Sequence, residues 1–544
     1  MKEKNINTEF DLSKLWIVLI ALVNILLLLG YWILDNTEAF LFLTKHPIVI
    51  LPYLFDKLGI AKCTLFILLI VGFIPIIIAL PSSNKSKKSQ VIRGTKVFES
   101  DSEMKIVMKK KCIEEIEEQL KRKKVSIFKK SKIAKETYKK HFDNYMKIAG
   151  ISLPHELENR GFFFFGDPGS GKTQSIKQIL VTIKNREDFR GIIFDRNGEM
   201  LRTFYDPDKD LIFNPFDKRS IGWCHTSEKG VRPETIAESL IPPPLDTTGP
   251  SSHFPIAAAV VLGLIFHKTR TNQQVYRMIT KSFEELQADL QNTLASAYLA
   301  EARQASSVVA TANNFCKFYR YLIDTDKDQI SFYNWGYQDD PRWIFVTLKE
   351  NDASVLKPLH SMLFELMIKG LISNQNRKLK TAIIIDELGA LNRLDSLPRL
   401  LSEGRKFLAC PFLGTQTQAQ ITKTYRIEVT RILLQGALVK VILRCSDPET
   451  AEAMAQIIGK REILRYNTNI SRTPRNLKSP ATKTTTTVQN YSESFAILAS
   501  EFINQDDKEG YLKIGKYISP ITVPYVAYPD LHEGFIDRDA ELNH

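Results

Sequence analysis

Eight consecutive residues, Gly166-Asp167-Pro168-Gly169-Ser170-Gly171-Lys172-Thr173, have the types and spacing to hold a polyphosphate. The pattern G-x-x-x-x-G-K-[ST] turns backbone N–H groups toward one point and delivers a lysine ammonium and a hydroxyl to the same place. Lys172 is expected to reach the β- and γ-phosphates and Thr173 to hold Mg2+, so ATP and Mg2+ are the expected ligands. A second constellation, Thr381-Ala382-Ile383-Ile384-Ile385-Asp386-Glu387, ends an apolar run in two carboxylates. Asp386 suits the Mg2+ shell, and Glu387 suits the orientation or activation of an attacking water. Arg405 offers a guanidinium for charge developing on the γ-phosphate, and Gln416 an amide to sense that phosphate from the neighbouring strand. The alternatives are a surface ion pair of Arg405 with Glu403 and an ordinary strand-end role for Gln416.

Such groups need a sheet to position them. Phe162 to Phe165 is fully apolar and predicts a buried strand that ends at the glycine loop, followed by a helix from Lys172 to about Lys184. Gly191 to Asp195 and Leu211 to Pro215 predict two further parallel strands, the second stopped by its proline. From about Val231 the strand signals fade through the Pro-rich loop Ile241 to Pro255. Helical periodicity then runs through Ala257 to His267, Val275 to Leu294 and Ala305 to Leu322. Strands resume at Trp343 to Leu348, and a long helix is expected over Val355 to Ile372. The fold class is therefore α/β: a P-loop, RecA-like nucleotide-binding domain over 151–230 and 331–544, with an all-α insertion over 231–330. Nothing repeats at a fixed period, which excludes a solenoid.

The 544 residues are too many for one core and imply roughly three or four structural units. Ahead of the nucleotide domain, residues 1–84 are expected to form a membrane anchor of two transmembrane helices, about 15–34 and 64–80. In the first span only Asn24 interrupts the apolar run, and Tyr31-Trp32 closes it like an interfacial belt, unlike a signal peptide. The second contains Pro75 and reads as a kinked span or a buried core helix. Lys85, Lys87, Lys88, Arg93 and Lys96 follow it directly, so the positive-inside rule places both ends of the hairpin, and the ATPase domain, on the cytoplasmic side of the membrane.

The net charge is +13, from 74 basic and 61 acidic residues, which favours an anionic partner. Residues 85–150 read as a basic, membrane-proximal lead-in: Met104 to Lys147 alone carries 15 Lys plus Arg against 6 Asp plus Glu, a net of +9. Membrane lipid is one partner for such a stretch, and a merely solvated charged helix or linker is the other reading. Cys63, Cys112, Cys224, Cys316, Cys410 and Cys445 form no C-x-x-C pair and read as reduced, mostly buried thiols.

The order of these parts resembles the type IV secretion coupling proteins, the membrane-anchored ATPases of bacterial conjugation. The resemblance covers nearly the whole chain: the N-terminal hairpin, GDPGSGKTQSIKQIL, IIFDRNGEMLRTFY with LIFNPFDKRSIGW, the helical insertion, IIIDELGAL, and EGRKF leading into GTQTQAQI. Ala499 to Ile503, Gly510 to Lys513 and Val523-Pro524 are similar to that family's last strands. The resemblance implies that Arg405 is an arginine finger and Gln416 the strand-end glutamine. It also implies a cell inner-membrane location and a homo-hexamer acting on DNA, single-stranded and with a relaxase, together with inner-membrane components of a type IV secretion system. Two departures stand in the loop: Asp167-Pro168 replaces a more typical Thr-Gly pair, and Thr173 a common Ser. No long acidic tail follows the last strands, which leaves tail-mediated partner docking without a counterpart.

Three functions compete on this reading: a DNA motor, a coupling ATPase that recruits protein effectors, and a receptor that nucleotide merely orders. An ABC transporter is excluded, because Leu401-Ser402-Glu403-Gly404-Arg405 follows the acidic strand and does not precede it. No helix-turn-helix or zinc pattern for base reading stands out in the insertion.

Overall fold

The computed structural model describes residues 90–246, 252–322, 329–473 and 482–538. The two expected transmembrane helices, Cys63 and the basic flank at Lys85 to Lys88 lie outside the described residues. Among the described residues no helix is long and apolar enough to cross a membrane.

Fourteen strands are described in three sheets. β1 (Gln90–Gly94) leads into α1 (Asp101–Arg122) and α2 (Ile127–Lys140), and the small ribbon β2 (Lys147–Ile148) and β3 (Ile151–Ser152) follows. Then come β4 (Phe162–Phe165), α3 (Lys172–Ile183), β5 (Phe189–Arg196), α4 (Glu199–Phe204) and β6 (Leu211–Phe213). The chain next runs through helices α5 (Pro233–Leu240), α6 (His253–Lys268), α7 (Asn272–Ile279), α8 (Phe283–Asp289), α9 (Ala295–Tyr298), α10 (Ala302–Cys316) and α11 (Phe332–Tyr337). It re-enters the sheet as β7 (Ile344–Leu348), crosses α12 (Ala353–Leu371), and continues through β8 (Lys380–Ile385), α13 (Leu397–Glu403), β9 (Ala409–Thr415), α14 (Gln418–Gly436) and β10 (Val439–Leu443). The last elements are α15 (Pro448–Ile458), the hairpin β11 (Lys460–Thr473) and β12 (Thr482–Phe495), α16 (Ala499–Ile503), β13 (Glu509–Ile514) and β14 (Tyr517–Thr522).

The central sheet has the order β14-β13-β10-β4-β9-β8-β5-β7-β6. It is parallel from β10 through β6, and β13 and β14 close the other edge antiparallel. The apolar run of β4 has no polar face because both faces are covered, as parallel strands require. Phe163 and Phe165 join the core shared with α12 and the helices between β6 and β7. Phe162 and Phe164 join the opposite core, with Ile176, Ile179 and Ile183 of α3. Each such ring removed from water stabilises by roughly 1.5–3 kcal/mol, so β4 is a rigid mount for the loop that follows it.

Four stretches depart from the sequence reading. Val275 to Leu294 is not one helix: Ser282 Oγ accepts from Glu285 N at 3.3 Å while Glu285 Oε2 accepts from Ser282 N at 3.1 Å, and this capping box starts α8 afresh. Ala499 to Ile503 is a helical turn, not a strand, with Glu501 Oε1 accepting from Leu498 N at 3.1 Å. The basic lead-in is no linker, because α1 buries Met104, Met108, Cys112 and Ile116. The hairpin β11–β12 was not anticipated; its strands are paired over fourteen residues each, with β1 along its base. Its Thr-rich, two-sided polar sequence lacks the apolar alternation by which strands are recognised. The five cysteines among the described residues form no disulfide and are buried, as expected.

Candidate functional site

The glycine loop leaves β4 at the C-terminal edge of the parallel strands, where open α/β sheets bind ligands. Gly171 caps α3 with φ +107°, a backbone conformation that a side chain would strain. Lys172 folds back so that Nζ donates to the carbonyls of Gly166 at 2.5 Å and Asp167 at 3.2 Å. Burial pushes its ammonium below the usual lysine range, while Asp386 and Glu387 pull it back up. An ammonium held on two neutral carbonyls is free to exchange them for a polyanion at little cost. Ser170 Oγ is buried under Gly166 with no hydrogen-bond partner.

Asp167, the unusual residue of the loop, is an anchor. Its Oδ2 accepts from Ser446 N at 2.9 Å and from Ser446 Oγ, and its N–H donates to Arg444 O at 2.9 Å. The loop is thereby tied to the turn after β10, and Arg444 extends the tie to Asp507 at 2.8 Å.

The acidic strand lies two places away, with β9 between it and β4. Gly414 makes that close packing possible: a Cβ there would lie 2.0 Å from the Asp386 carbonyl oxygen. Thr173 Oγ1 donates to Asp386 Oδ2 at 2.7 Å, while Asp386 Oδ1 is buried and unpartnered. Burial raises the Asp386 carboxyl, and the Thr173 bond and Lys172 oppose that shift. Glu387, 7 % exposed, is likewise raised by burial, with Lys172 and the neighbouring Gln416 amide pulling the other way. Glu387 Oε1 has no partner. Lys172, Thr173, Asp386, Glu387 and Gln416 are thus brought together.

Arg405 is not part of that group. It sits exposed in the turn Gly404–Phe407 that precedes β9, at the opposite edge of the sheet, where its carbonyl accepts from Asn159 Nδ2 at 3.5 Å. Glu403 is instead paired with Arg399 at 3.7 Å and Lys406 at 3.9 Å.

The donors fit Mg2+. A hydroxyl touching a carboxylate whose second oxygen is unsatisfied is a hard, oxygen-only pair, and Mg2+ takes one or two protein oxygens and completes its shell with water and phosphate. Among the described residues no cluster of three or more His, Cys, Asp or Glu forms a cage for a different metal.

Sequence reasoning missed Asp195 and Arg196 at the end of β5. Buried Asp195 accepts from the N–H groups of Met200 at 2.9 Å and Leu201 at 2.7 Å, and burial lifts its carboxyl to about 7. It caps α4 and holds the turn beside the acidic pair. Arg196, paired with Glu350 through Nε at 2.9 Å, lowers the Glu387 carboxyl from within the same chain. A strand ending in Asp-Arg just before Asn197-Gly198 was the available signal.

The family model of the type IV secretion-system coupling protein DNA-binding domain matches residues 145–524. The chain belongs to this family. Coupling protein TraD of Escherichia coli (strain K12) is 28% identical over 343 residues, 60% of this chain and 48% of TraD, so the chain spans about half the length of that relative. Among solved structures, the unbound bacterial conjugative coupling protein TrwBdeltaN70 shares the fold with a TM-score of 0.66 at 21% identity, covering 82% of this chain and 98% of that one. TrwB in complex with the ATP analogue ADPNP gives 0.66 at 21% identity over 82% and 97%, and TrwB with ADP and Mg2+ gives 0.65 at 21% over 83% and 98%. The coupling-protein fold therefore carries the constellation described above.

Proposed function

We propose that this chain is an ATP-driven coupling protein that recruits DNA, single-stranded and with a relaxase, and moves it toward a type IV secretion channel. The observation that carries the reading is the Thr173–Asp386 contact at 2.7 Å beside a buried Glu387 whose Oε1 is unpartnered. TraD and TrwB are named as coupling proteins, and TrwB has been captured with ADPNP and with ADP and Mg2+.

In this reading Gly166 to Thr173 wraps the phosphates, and Lys172 leaves its two carbonyls to pair with them. Bound Mg2+ would supply charge neutralisation at the phosphate oxygens, held by Thr173 and Asp386. Glu387 Oε1 accepts a hydrogen bond from water and, with a carboxyl raised by burial, is a stronger base than a solvated glutamate. Gln416, whose amide acts on the Glu387 carboxyl, links the occupancy of that carboxylate to the end of β9 and so to α14.

The proposal extends to the rest of the chain: a two-pass inner-membrane anchor over 1–84, a lipid-facing basic lead-in over 85–150, a cytoplasmic ATPase of 151–230 with 331–544, and a homo-hexameric ring that meets inner-membrane secretion components. The test is ATP turnover by the detergent-solubilised protein with and without single-stranded DNA, beside Glu387→Gln. Stimulation by DNA is expected, with turnover falling on the order of 10²–10⁴-fold in the variant while ADP binding persists. Turnover that DNA never stimulates would point to protein effectors as cargo, and DNA transfer surviving in Glu387→Gln would leave a nucleotide-ordered receptor.

A further inference from the structure

After β14 the chain does not leave the surface. Residues 523–538 run as a strap back across the nucleotide domain. Val523 N donates to Lys508 O at 2.7 Å, Pro524 O accepts from Gln178 Nε2 at 3.1 Å, and Val526 N donates to Gln174 Oε1 at 3.4 Å. Gln174 and Gln178 are one turn apart on α3, the helix that begins with Lys172, so the residue between these two ties is pinned from both sides to the phosphate-loop helix.

That residue is Tyr525, 66% exposed and the most exposed aromatic among the described residues. Lys508 Nζ lies 4.8 Å from its ring centroid. Lys508 is itself part of the loop's surroundings: its N–H donates to Ser170 O at 3.0 Å, and its Cγ would lie 3.4 Å from a Cβ on Gly171. An aromatic ring is thus held beside the loop, one face approached by a cation and the remainder open to solvent.

The sheet order decides which end of a nucleotide the ring meets. Asp386 and Glu387 follow β8, on one flank of β4, whereas β10, β13 and β14 occupy the other. A triphosphate whose terminal phosphate faces Asp386 and Glu387 must leave its nucleoside toward the strap. The ring is no member of the buried cores, and its neighbours Pro524 and Val526 are tied to α3 through backbone atoms, which leaves the side chain of Tyr525 out of those ties.

We propose that Tyr525 is the stacking platform for the nucleobase of a nucleoside triphosphate held on Gly166 to Thr173. The proposal rests on the nucleotide-binding reading above. Stacking on a π-face contributes on the order of ten- to a hundredfold in affinity and makes no use of the phosphates.

The test is competition by ADP and by inorganic tripolyphosphate for a fluorescent ATP analogue on the full-length, solubilised protein. Tyr525→Ala is expected to weaken ADP on the order of ten- to a hundredfold while tripolyphosphate competes as in the wild type, and Tyr525→Phe to bind ADP like the wild type. Unchanged ADP affinity in Tyr525→Ala overturns the proposal. So does a parallel loss of ADP and tripolyphosphate, which would make the ring a prop for the loop. Lys172→Ala separates the two levels: a wild-type protein that binds neither competitor, or a Lys172→Ala protein that binds both normally, refutes the nucleotide reading itself.

Discussion

Lys172, Thr173, Asp386, Glu387 and Gln416 were legible because each ends or follows an apolar run, and the C-terminal edge of a parallel sheet gathers strand ends into one place. Residues whose partners are distant in sequence were not legible: nothing local ties Asp167 to Ser446, or Pro524 and Val526 to α3. His360 belongs to this second class. It is fully buried in α12 against the rings of Phe194 and Phe213, and neither ring nitrogen has a hydrogen-bond partner. Burial holds its imidazole at about 3, against an ordinary value of 6.5. The fold therefore refuses a proton that the unfolded chain accepts. This contribution to stability is complete above pH 6.5, declines as pH falls below that value, and levels off below about 3. From pH 7 to pH 4.5 the loss from this one site is about 2–3 kcal/mol. His360→Phe, which keeps a ring in the same aromatic cluster and removes two unsatisfied polar atoms, should raise the melting temperature at pH 7 and flatten the acid limb. Thermal unfolding of both proteins at the two pH values checks this, and equal acid slopes would remove His360 as the cause.

At the scale of elements, charge obscured packing. Met104 to Lys147 reads as a basic lead-in because 15 of its residues are Lys or Arg, yet Met104, Met108, Cys112 and Ile116 recur every fourth residue and form the buried stripe of α1. Met104 and Met108 pack into the core that also contains Ile148, Ile151 and Leu153, Cys112 and Ile116 into a smaller cluster with Ala134, Tyr138 and Tyr145, and Glu115 accepts from the N–H groups of His155 at 3.0 Å and Glu156 at 2.9 Å. Part of the charge is therefore structural, and the exposed lysines are what remains for an anionic surface. The two roles separate by mutation. Met108→Ala, at a fully buried position, should cost about 2–5 kcal/mol, whereas Lys109→Ala or Lys110→Ala should stay within about 0.5 kcal/mol. Chemical denaturation of the three variants measures this, together with binding to vesicles containing anionic lipid, which only the lysine changes should weaken. A Met108→Ala protein as stable as the lysine variants would return α1 to the status of a solvated helix.

At the scale of the whole molecule, the position of Arg405 bears on assembly. The strand β9 separates its turn from Gln416, and its seven residues at about 3.3 Å each span about 23 Å. An arginine side chain reaches a small fraction of that distance, so Arg405 cannot serve the phosphate loop of its own chain. Its exposure and lack of an ion pair with Glu403 leave the guanidinium available to another copy. In the proposed ring, each complete site would then combine Lys172, Asp386 and Glu387 of one subunit with Arg405 of the next, and Lys172→Ala and Arg405→Ala would each abolish turnover. Mixed before assembly at equal amounts, the two inactive proteins should recover activity. A site works when its own subunit keeps Lys172 and its neighbour keeps Arg405, which random mixing provides at about a quarter of sites. Turnover of the mixture, measured after confirming by mass that both variants assemble as the wild type does, decides the matter. Recovery near a quarter of wild-type turnover places Arg405 in its neighbour's site. No recovery at any mixing ratio, or an Arg405→Ala protein that turns over ATP normally, restricts this residue to the surface of its own subunit.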